Sequence, residues 1–335
     1  MFDDLRHARR LASTLDGFAR VYLLRVGVQL GLFEALREAR TAVELAEHLG
    51  LAPDLVAAWL RAAGAQGLVK REGDRFRLGS FAAWLLDSPR LAELQALLDQ
   101  TVLGVAPRLE SLGALMKGGE RPVFGAGAEA LRAAAIPRLV EGRALQALAR
   151  VPGARTARRV LDVGCGFGTY LAGLLRRYRD AHGLGIELDP HVAEEARRVL
   201  REAEVSRRGE IRVGDFMTMD LPKGTYDLIL VNHGLHHFAP PERGALLRRA
   251  RSRVSERGVV VIQTATASRD PLARWLGSAA WVASLDLYLR THRNLYGLPE
   301  ADELETTLAQ SGFRATGVVP ILPGGNVVYV WGRPG

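Results

Sequence analysis

The amino-terminal part of the chain places apolar residues at helical spacing. Within residues 4–40, apolar side chains recur every three or four positions, and this pattern predicts a helix. These side chains are Val21, Leu24, Val28, Leu32 and Leu36.

Two shorter helices and a hairpin are predicted next. Thr41 precedes the first helix, and Glu44 follows three residues later, which is the spacing of a capping box. Pro53 begins the second helix, and a glycine ends each of the two. Two short extended runs then flank Glu72-Gly73-Asp74, which indicates a β-hairpin. Two helices followed by a two-stranded hairpin are typical of a winged helix.

The rest of the chain changes from a helical to an alternating pattern. Residues 80–150 are predicted to be helical with breaks near Pro89, Pro107 and the glycines at 118–119 and 125–127, and residues 151–159 are predicted to be a linker. From Val160 onward, short apolar runs alternate with helical runs. The predicted strands are 159–163, 183–187, 211–213, 227–231, 258–263 and 326–331. This alternation predicts an α/β fold, a Rossmann-like doubly wound parallel sheet that follows an all-helical or winged-helix amino-terminal domain.

A glycine-rich loop follows the first strand of that sheet. The strand carries Asp162 near its end, and Gly164, Gly166 and Gly168 come directly after it. Glycines at these positions permit a tight turn and a close approach of the backbone to a ligand. The spacing is not that of a dinucleotide site, whose third glycine would fall on Thr169. An acidic residue here would repel a pyrophosphate and suits a ligand with an ammonium group. The alternative is a plain glycine-rich turn.

Three further strand ends carry candidate ligand contacts. Glu187 ends the second strand, where a carboxylate can accept hydrogen bonds from both hydroxyls of a ribose; the alternative is a surface acid. Asp189 precedes Pro190 and is better explained as a helix N-cap. Asp215 and Phe216 end the third strand, where they can meet an exocyclic amine and an adenine ring. Ligands of open α/β sheets bind outside these carboxyl ends.

These motifs together resemble a known family. The run VLDVGCGFG, followed by GIELD, GDF and YDLILVNHGLHHF, resembles the class I S-adenosylmethionine-dependent methyltransferase domain over about residues 158–332. A final strand pair at 312–320 and 326–331 is part of that resemblance. The amino-terminal half resembles the winged-helix dimerisation domain of small-molecule O-methyltransferases. The resemblance implies a homodimer that methylates a small molecule, with S-adenosylmethionine as cofactor.

The resemblance also assigns roles to residues. The glycine loop would hold the methionine end of the cofactor, Glu187 the ribose, Asp215 and Phe216 the adenine, and Asn232 would lie near the methionine amino group. Cys165 is interpreted as a packing residue within that loop and not as a nucleophile. The predicted cofactor-binding residues are Asp162, Gly164, Cys165, Gly166, Gly168, Glu187, Leu188, Asp215, Phe216, Asn232 and His233.

Three histidines follow the fourth strand at spacing i, i+3 and i+4. His233, His236 and His237 can be a metal site, packing residues, or the source of a general base. No Cys, Asp or Glu lies within the motif, so no metal is predicted. The resemblance places His236 at the catalytic position, and His236 and His237 are the predicted catalytic residues. Two departures leave packing as an equal alternative: the family usually has Asp where His237 stands, and Gln263 replaces the family's acid after the fifth strand.

Residues 269–298 form a long connection rich in aromatic side chains, including Trp275, Trp281 and Tyr288. We expect part of it, together with the helices of 91–150, to close an apolar acceptor pocket. The predicted domains are 1–90 (winged-helix dimerisation domain), 91–157 (helical linker and active-site roof) and 158–335 (methyltransferase domain).

Charge and cysteine content change this interpretation little. The formal net charge is +8, but residues 101–159 hold ten Lys or Arg against four Asp or Glu, while residues 1–100 are balanced. A DNA-reading winged helix would need a basic recognition helix, and the candidate carries only Arg61 against Asp54. We therefore expect no nucleic-acid partner, and no long apolar run predicts a membrane partner. One cysteine excludes an intrachain disulfide, and the cytoplasm is the expected location.

Two functions remain open from the sequence. The first is methylation of a small molecule in specialised metabolism, O-methylation above N- or C-methylation. The alternative is a winged-helix regulator that senses S-adenosylmethionine.

Overall fold

The computed structural model describes residues 2–125, 128–222, 224–266 and 278–334. The chain divides into two compact units, Met1–Pro107 and Arg108–Gly335. The sequence prediction of three domains, with boundaries at 90 and 157, stays a prediction.

The first unit is a helical domain that contains a small hairpin. Its elements are α1 (Phe2–Gln29), α2 (Leu32–Ala35), α3 (Ala42–Leu49), α4 (Pro53–Ala65), β1 (Val69–Glu72), β2 (Arg75–Leu78), α5 (Ser80–Leu86), α6 (Leu91–Asp99) and a π-helical stretch (Gln100–Val105). The helix predicted over 4–40 is interrupted at Gly31, whose φ of +70° is readily adopted only by glycine.

The winged-helix pattern forms as predicted. Thr41 and Glu44 make a reciprocal capping box at the start of α3: the Glu44 N–H donates to the Thr41 hydroxyl over 3.2 Å, and the Thr41 N–H donates to the Glu44 carboxylate over 2.9 Å. The strands β1 and β2 pair antiparallel around Gly73-Asp74. The core of the unit is apolar and fully enclosed, and its largest members are Phe33, Leu36, Leu45, Leu60 and Leu68.

The second unit contains the sheet. Its helices are α7 (Ala106–Glu110, which spans the boundary), α8 (Leu112–Met116), α9 (Ala128–Ala135), α10 (Glu141–Leu148), α11 (Thr169–Arg177), α12 (Pro190–Glu202), α13 (Pro240–Arg251), α14 (Ser278–Arg290) and α15 (Ala301–Gln310). Its strands are β3 (Arg159–Val163), β4 (His182–Glu187), β5 (Gly209–Val213), β6 (Tyr226–Asn232), β7 (Val254–Ala265), β8 (Phe313–Pro320) and β9 (Val327–Pro334). Short 3₁₀ turns lie at Ile136–Leu139, Ala154–Thr156 and Leu235–His237.

The seven strands lie in the order β5-β4-β3-β6-β7-β9-β8. The first five are parallel, and β9 is antiparallel to both β7 and β8. Parallel strands joined by helices, with the order reversing between β3 and β6, confirm the predicted doubly wound α/β fold. The carboxyl ends of β3, β4, β5 and β6 consequently lie at one edge of the sheet.

Three buried polar side chains lie on neighbouring central strands of the sheet. They are Asp162 on β3, Asn232 on β6 and Gln263 on β7, and all three are less than a tenth exposed. Asn232 and Gln263 are direct partners in the β6–β7 register. Asp162 follows Val160 by two residues and therefore faces the same side of the sheet as Leu228 and Leu230.

No helix within the described ranges has the length and apolar character needed to cross a membrane.

Candidate functional site

The glycine loop turns the chain from β3 into α11. Gly164, Gly166 and Gly168 have φ values of +65°, +54° and +67°, which other residues rarely adopt. A Cβ at Gly164 would meet no neighbouring atom, so this backbone faces open space. A Cβ at Gly168 would lie 3.1 Å from Leu200 and 3.2 Å from Ala196 on α12. The loop therefore combines a tightly packed end with a backbone surface that a ligand can approach.

Asp162 and Asn232 form a buried polar pair beside this loop. The Asn232 amide donates to the Asp162 carboxylate over 3.4 Å, and the second Asp162 oxygen and the Asn232 carbonyl oxygen have no hydrogen-bond partner among the described residues. Burial raises the pKa of Asp162 to about 7; the Asn232 hydrogen bond acts in the opposite direction, and the nearby Glu187 adds to the rise. Buried oxygens of this kind are costly without a partner, so the pair has the capacity to accept from a cation or another hydrogen-bond donor.

The Glu187 side chain accepts hydrogen bonds from backbone N–H groups of the glycine loop and of its own turn. Its carboxylate accepts N–H hydrogen bonds from Gly166 and Leu188, both over 2.9 Å, and from Asp189 over 3.1 Å. A carboxylate offers about four lone-pair sites, so capacity remains for a further donor such as a ribose hydroxyl. The Leu188 side chain is exposed, and Asp189 caps α12 as predicted by accepting from the His191 and Val192 N–H groups.

Cys165 is buried within the glycine loop. Its N–H donates to the Ile186 carbonyl over 2.9 Å, and a Cβ at Gly185 would lie 2.8 Å from its sulfur. Burial raises the pKa of the thiol well above its usual range, so the neutral thiol persists at physiological pH. These contacts favour the packing interpretation.

Asp215 and Phe216 occupy different environments after β5. Asp215 is exposed and accepts a hydrogen bond from the Met217 N–H over 2.8 Å. Phe216 is buried in the apolar core, and the Arg249 guanidinium lies 5.3 Å from its ring centre. Asp215 is accessible to a ligand, whereas the predicted stacking of Phe216 on adenine would require the ring to leave these contacts. Both roles stay predictions.

The histidine loop, defined here as residues 233–238, leaves the end of β6 with an unusual backbone. His233 has φ +51°, in the left-handed region, and its ring lies 6.4 Å from that of Tyr170. Burial lowers the pKa of His233 to about 4, so the imidazole is neutral. His236 and His237 follow on a 3₁₀ turn with ring centres 4.6 Å apart.

His236 is also neutral at physiological pH. It is half-buried, and burial lowers its pKa well below the ordinary histidine value; His237, His233 and Arg243 act in the same direction. A neutral imidazole can accept a proton. No group of three His, Cys, Asp or Glu side chains with metal-binding geometry occurs in the part of the chain that the structure describes.

Gln263 faces the buried pair from the neighbouring strand. Its amide donates to the Tyr170 hydroxyl over 3.3 Å, and that hydroxyl donates to the Pro137 carbonyl over 3.3 Å. Gln263 therefore belongs to an uncharged hydrogen-bonded chain, and burial raises the pKa of Tyr170 above its usual range. Tyr170 had no role in the sequence interpretation, because its partner is 93 residues away in the chain.

A row of rings extends from His237. Phe124 lies 6.2 Å from His237 and 5.7 Å from His292, and His292 lies 4.8 Å from Tyr288. Asn294 fixes Phe124 by accepting from its backbone N–H over 2.6 Å. Tyr288 and His292 are buried, while Trp281 is half exposed. Tyr288 is thus enclosed, Trp275 lies outside the described residues, and the acceptor pocket expected from 269–298 stays a prediction.

Comparison with known proteins assigns the chain to a family. The family described as methyltransferase domain matches residues 135–317, more than half of the chain. The chain belongs to this methyltransferase family. The O-methyltransferase dimerisation domain matches residues 12–88, so both parts of the predicted resemblance are confirmed.

Relatives of this methyltransferase differ in the atom that they methylate. O-methyltransferase SfmM3 of Streptomyces lavendulae is 30% identical over 172 residues, and the match covers 50% of this chain and 50% of that protein. This chain thus spans about half the length of that relative. L-tyrosine C(3)-methyltransferase of Streptomyces lavendulae is 28% identical, with 82% of this chain and 78% of that protein covered. The mitomycin 7-O-methyltransferase MmcR has a similar fold, with a TM-score of 0.82 at 24% identity over 99% of both chains.

Proposed function

We propose that this methyltransferase binds S-adenosylmethionine at the carboxyl edge of its sheet and directs the methyl group to a small-molecule acceptor beside His236. The observation that carries the proposal is the buried Asp162–Asn232 pair. Within the described part of the chain, each side chain presents an oxygen without a hydrogen-bond partner, directly beside a glycine loop whose backbone faces open space.

The chemistry of the site fits this cofactor. Asp162 and Asn232 would hold the methionine ammonium, because an anionic and a neutral oxygen together satisfy a cationic donor. Glu187 would hold the ribose with its remaining acceptor capacity, and the exposed Asp215 would meet the adenine amine. When bound, S-adenosylmethionine supplies a methyl group on a positively charged sulfur.

The chain's own contribution is positioning and proton acceptance. Holding an acceptor in line with a methyl donor contributes roughly 7–11 kcal/mol to lowering a barrier. Proton acceptance by His236 adds a factor of roughly 10²–10⁴. Gln263 carries no charge that could stabilise a protonated imidazole, so positioning is the larger of the two contributions.

We propose that the acceptor is a small aromatic molecule of specialised metabolism and that oxygen is methylated. The row formed by Phe124, Tyr288 and His292 supplies an aromatic wall next to His237. The O-methyltransferase dimerisation domain and the names of the relatives support this class. Methylation at carbon, as named for the tyrosine C(3)-methyltransferase relative, is the second candidate.

We also propose a homodimer formed through the first unit. Leu11, Leu15, Phe18 and Tyr22 lie along one face of α1 and are exposed, and the matching dimerisation domain supports a second copy of this chain as their partner. A groove of about 590 Å³ lined by Phe18, Tyr22 and Trp59 continues this face. The cytoplasmic location stays a prediction.

The proposed function is tested by following a labelled methyl group. Wild-type protein is incubated with isotope-labelled S-adenosylmethionine and a small-molecule extract of the host, and mass spectrometry locates the label. We expect one labelled small molecule, and His236→Gln should slow its formation by roughly 10²–10⁴-fold while leaving S-adenosylhomocysteine binding unchanged. His191→Gln, an exposed histidine on α12, is the matched control. Cofactor binding without transfer, together with salt-sensitive DNA binding, would instead support the regulator.

A further inference from the structure

The histidine loop is fastened to the segment that follows α14. The Tyr296 N–H donates to the His236 carbonyl over 2.7 Å. One residue further on, the Gly297 carbonyl accepts from the Arg243 guanidinium over 2.5 Å. The same guanidinium donates to the Phe238 carbonyl at the other end of the loop over 3.3 Å. Arg243 therefore links the end of the histidine loop to the residue next to Tyr296.

The Arg243 side chain that makes this link is buried, which is unusual for arginine. Only 2% of it is exposed, and its third bond is an ion pair with Glu303 over 3.0 Å. Burying a guanidinium is costly unless its donors are satisfied. Here the rigid fork of the arginine side chain reaches two backbone carbonyls and one carboxylate from the first turn of α13, an arrangement that lysine cannot reproduce.

We propose that Arg243 is a positioning residue that clamps the histidine loop to residues 296–297 and so fixes the imidazole of His236 at the active site. The proposal rests on the proposed function for the role of His236. A cavity of about 270 Å³ is lined in part by Arg243, Tyr296 and Gly297, so these bonds border open space.

The charge of Arg243 acts on His236 as well. Burial is the main cause of the low pKa of His236, and the charges of His237, His233 and Arg243 lower it further. Glu303 is the acidic group paired with Arg243. Removing the guanidinium should therefore raise the pKa of His236, through lost charge and through a loop that opens to water.

Two substitutions distinguish the effect of the Arg243 charge from the effect of its hydrogen bonds. Arg243→Gln removes both, whereas Arg243→Lys keeps the charge and loses the fork. Arg248→Gln is the matched control, because it removes one exposed arginine from the same helix.

Two NMR measurements report on the loop. Imidazole resonances of labelled histidine follow the titration of His236, and the His236→Asn variant assigns the resonance of that residue. Hydrogen exchange of the Tyr296 amide reports the bond to His236.

We expect Arg243→Gln to move the His236 titration to higher pH and to accelerate Tyr296 exchange by about fivefold for each net hydrogen bond lost. Arg243→Lys should accelerate exchange with a smaller change in titration, and Arg248→Gln should change neither. Unchanged Tyr296 exchange in both Arg243 variants would overturn the proposal, and if the glutamine variant does not fold, the lysine variant alone decides it.

Calorimetry with S-adenosylhomocysteine on the same samples keeps the two proposals distinct. If wild type binds S-adenosylhomocysteine but the Tyr296 amide exchanges at the same rate in the Arg243 variants, only the clamp is refuted. If wild type does not bind S-adenosylhomocysteine but Tyr296 exchange changes as expected, only the proposed function is refuted.

Discussion

Asp162→Asn removes an ionisable group from the proposed cofactor site with almost no change in the shape of the side chain. Asn232 can still donate to the oxygen at position 162, because the amide keeps that acceptor. The substitution abolishes the negative charge that would balance a ligand ammonium. It should therefore weaken cofactor binding and, at the same time, stabilise the protein without cofactor.

The size of the stability effect follows from the pKa of Asp162. An aspartate titrates near 3.9 in an unfolded chain, and burial raises the pKa in this fold to about 7. At 1.36 kcal/mol for each pKa unit, ionised Asp162 costs the folded state on the order of 4 kcal/mol. Because its pKa is raised, Asp162 keeps its proton to higher pH in the folded state than in the unfolded state. The free energy of unfolding is therefore highest below about pH 4 and falls as the pH rises to about 7.

Thermal denaturation without ligand between pH 5 and pH 8 measures this contribution. We expect Asp162→Asn to melt at a higher temperature than wild type at pH 8, with a difference that shrinks towards pH 5. In calorimetry at pH 6.5, S-adenosylmethionine binding to wild type should release protons, because a cation beside Asp162 favours the carboxylate. The variant should release none.

If the melting temperatures of wild type and Asp162→Asn depended on pH in the same way, Asp162 would not be a buried carboxyl with a raised pKa. Equal cofactor affinity of the two proteins would refute its role as the ammonium receptor.

Three further variants test the fold and the assembly. Gly168→Ala should lower stability by about 1–2 kcal/mol, because φ is +67° and the new Cβ crowds Leu200, and calorimetric melting measures it. Thr41→Ala should cost about 0.5–2 kcal/mol through the lost cap of α3, visible as an earlier urea transition; an unchanged midpoint would contradict the capping role. Phe18→Asp should halve the mass in light scattering at micromolar concentration, with exposed Leu103→Asp as control; a wild-type monomer would refute the dimer.

Local spacing was sufficient to predict much of this fold. The capping box at Thr41, the hairpin at Gly73 and the strand ending near Asp162 depend on residues close in sequence, so their patterns are readable without tertiary information. Pro107 was different. Helix α7 includes Pro107 directly after the π-helical stretch Gln100–Val105, so the chain changes helix type near the predicted break instead of leaving the helix.

The sequence indicated which residues lie together at the sheet edge, but not the contacts that their side chains make. Strand ends converge on one edge of a parallel sheet, which is why Asp162, Glu187 and Asn232 could be named together. The burial of Phe216 under Arg249 and the clamp by Arg243 could not be predicted, because both depend on packing between segments that are distant in sequence. Arginine at position 243 resembles any other arginine of an amphipathic helix until its partners are known.

The cofactor site is tested most directly by calorimetric titration of the wild-type protein with S-adenosylhomocysteine. The Asp162–Asn232 pair and Glu187 predict saturable binding of one molecule per chain, and Glu187→Ala should weaken it markedly, while Glu202→Gln, an exposed acid on α12, should leave it unchanged. Absence of binding to folded wild-type protein, or equal affinity of the Glu187→Ala protein, would contradict a cofactor site at the carboxyl edge of this sheet.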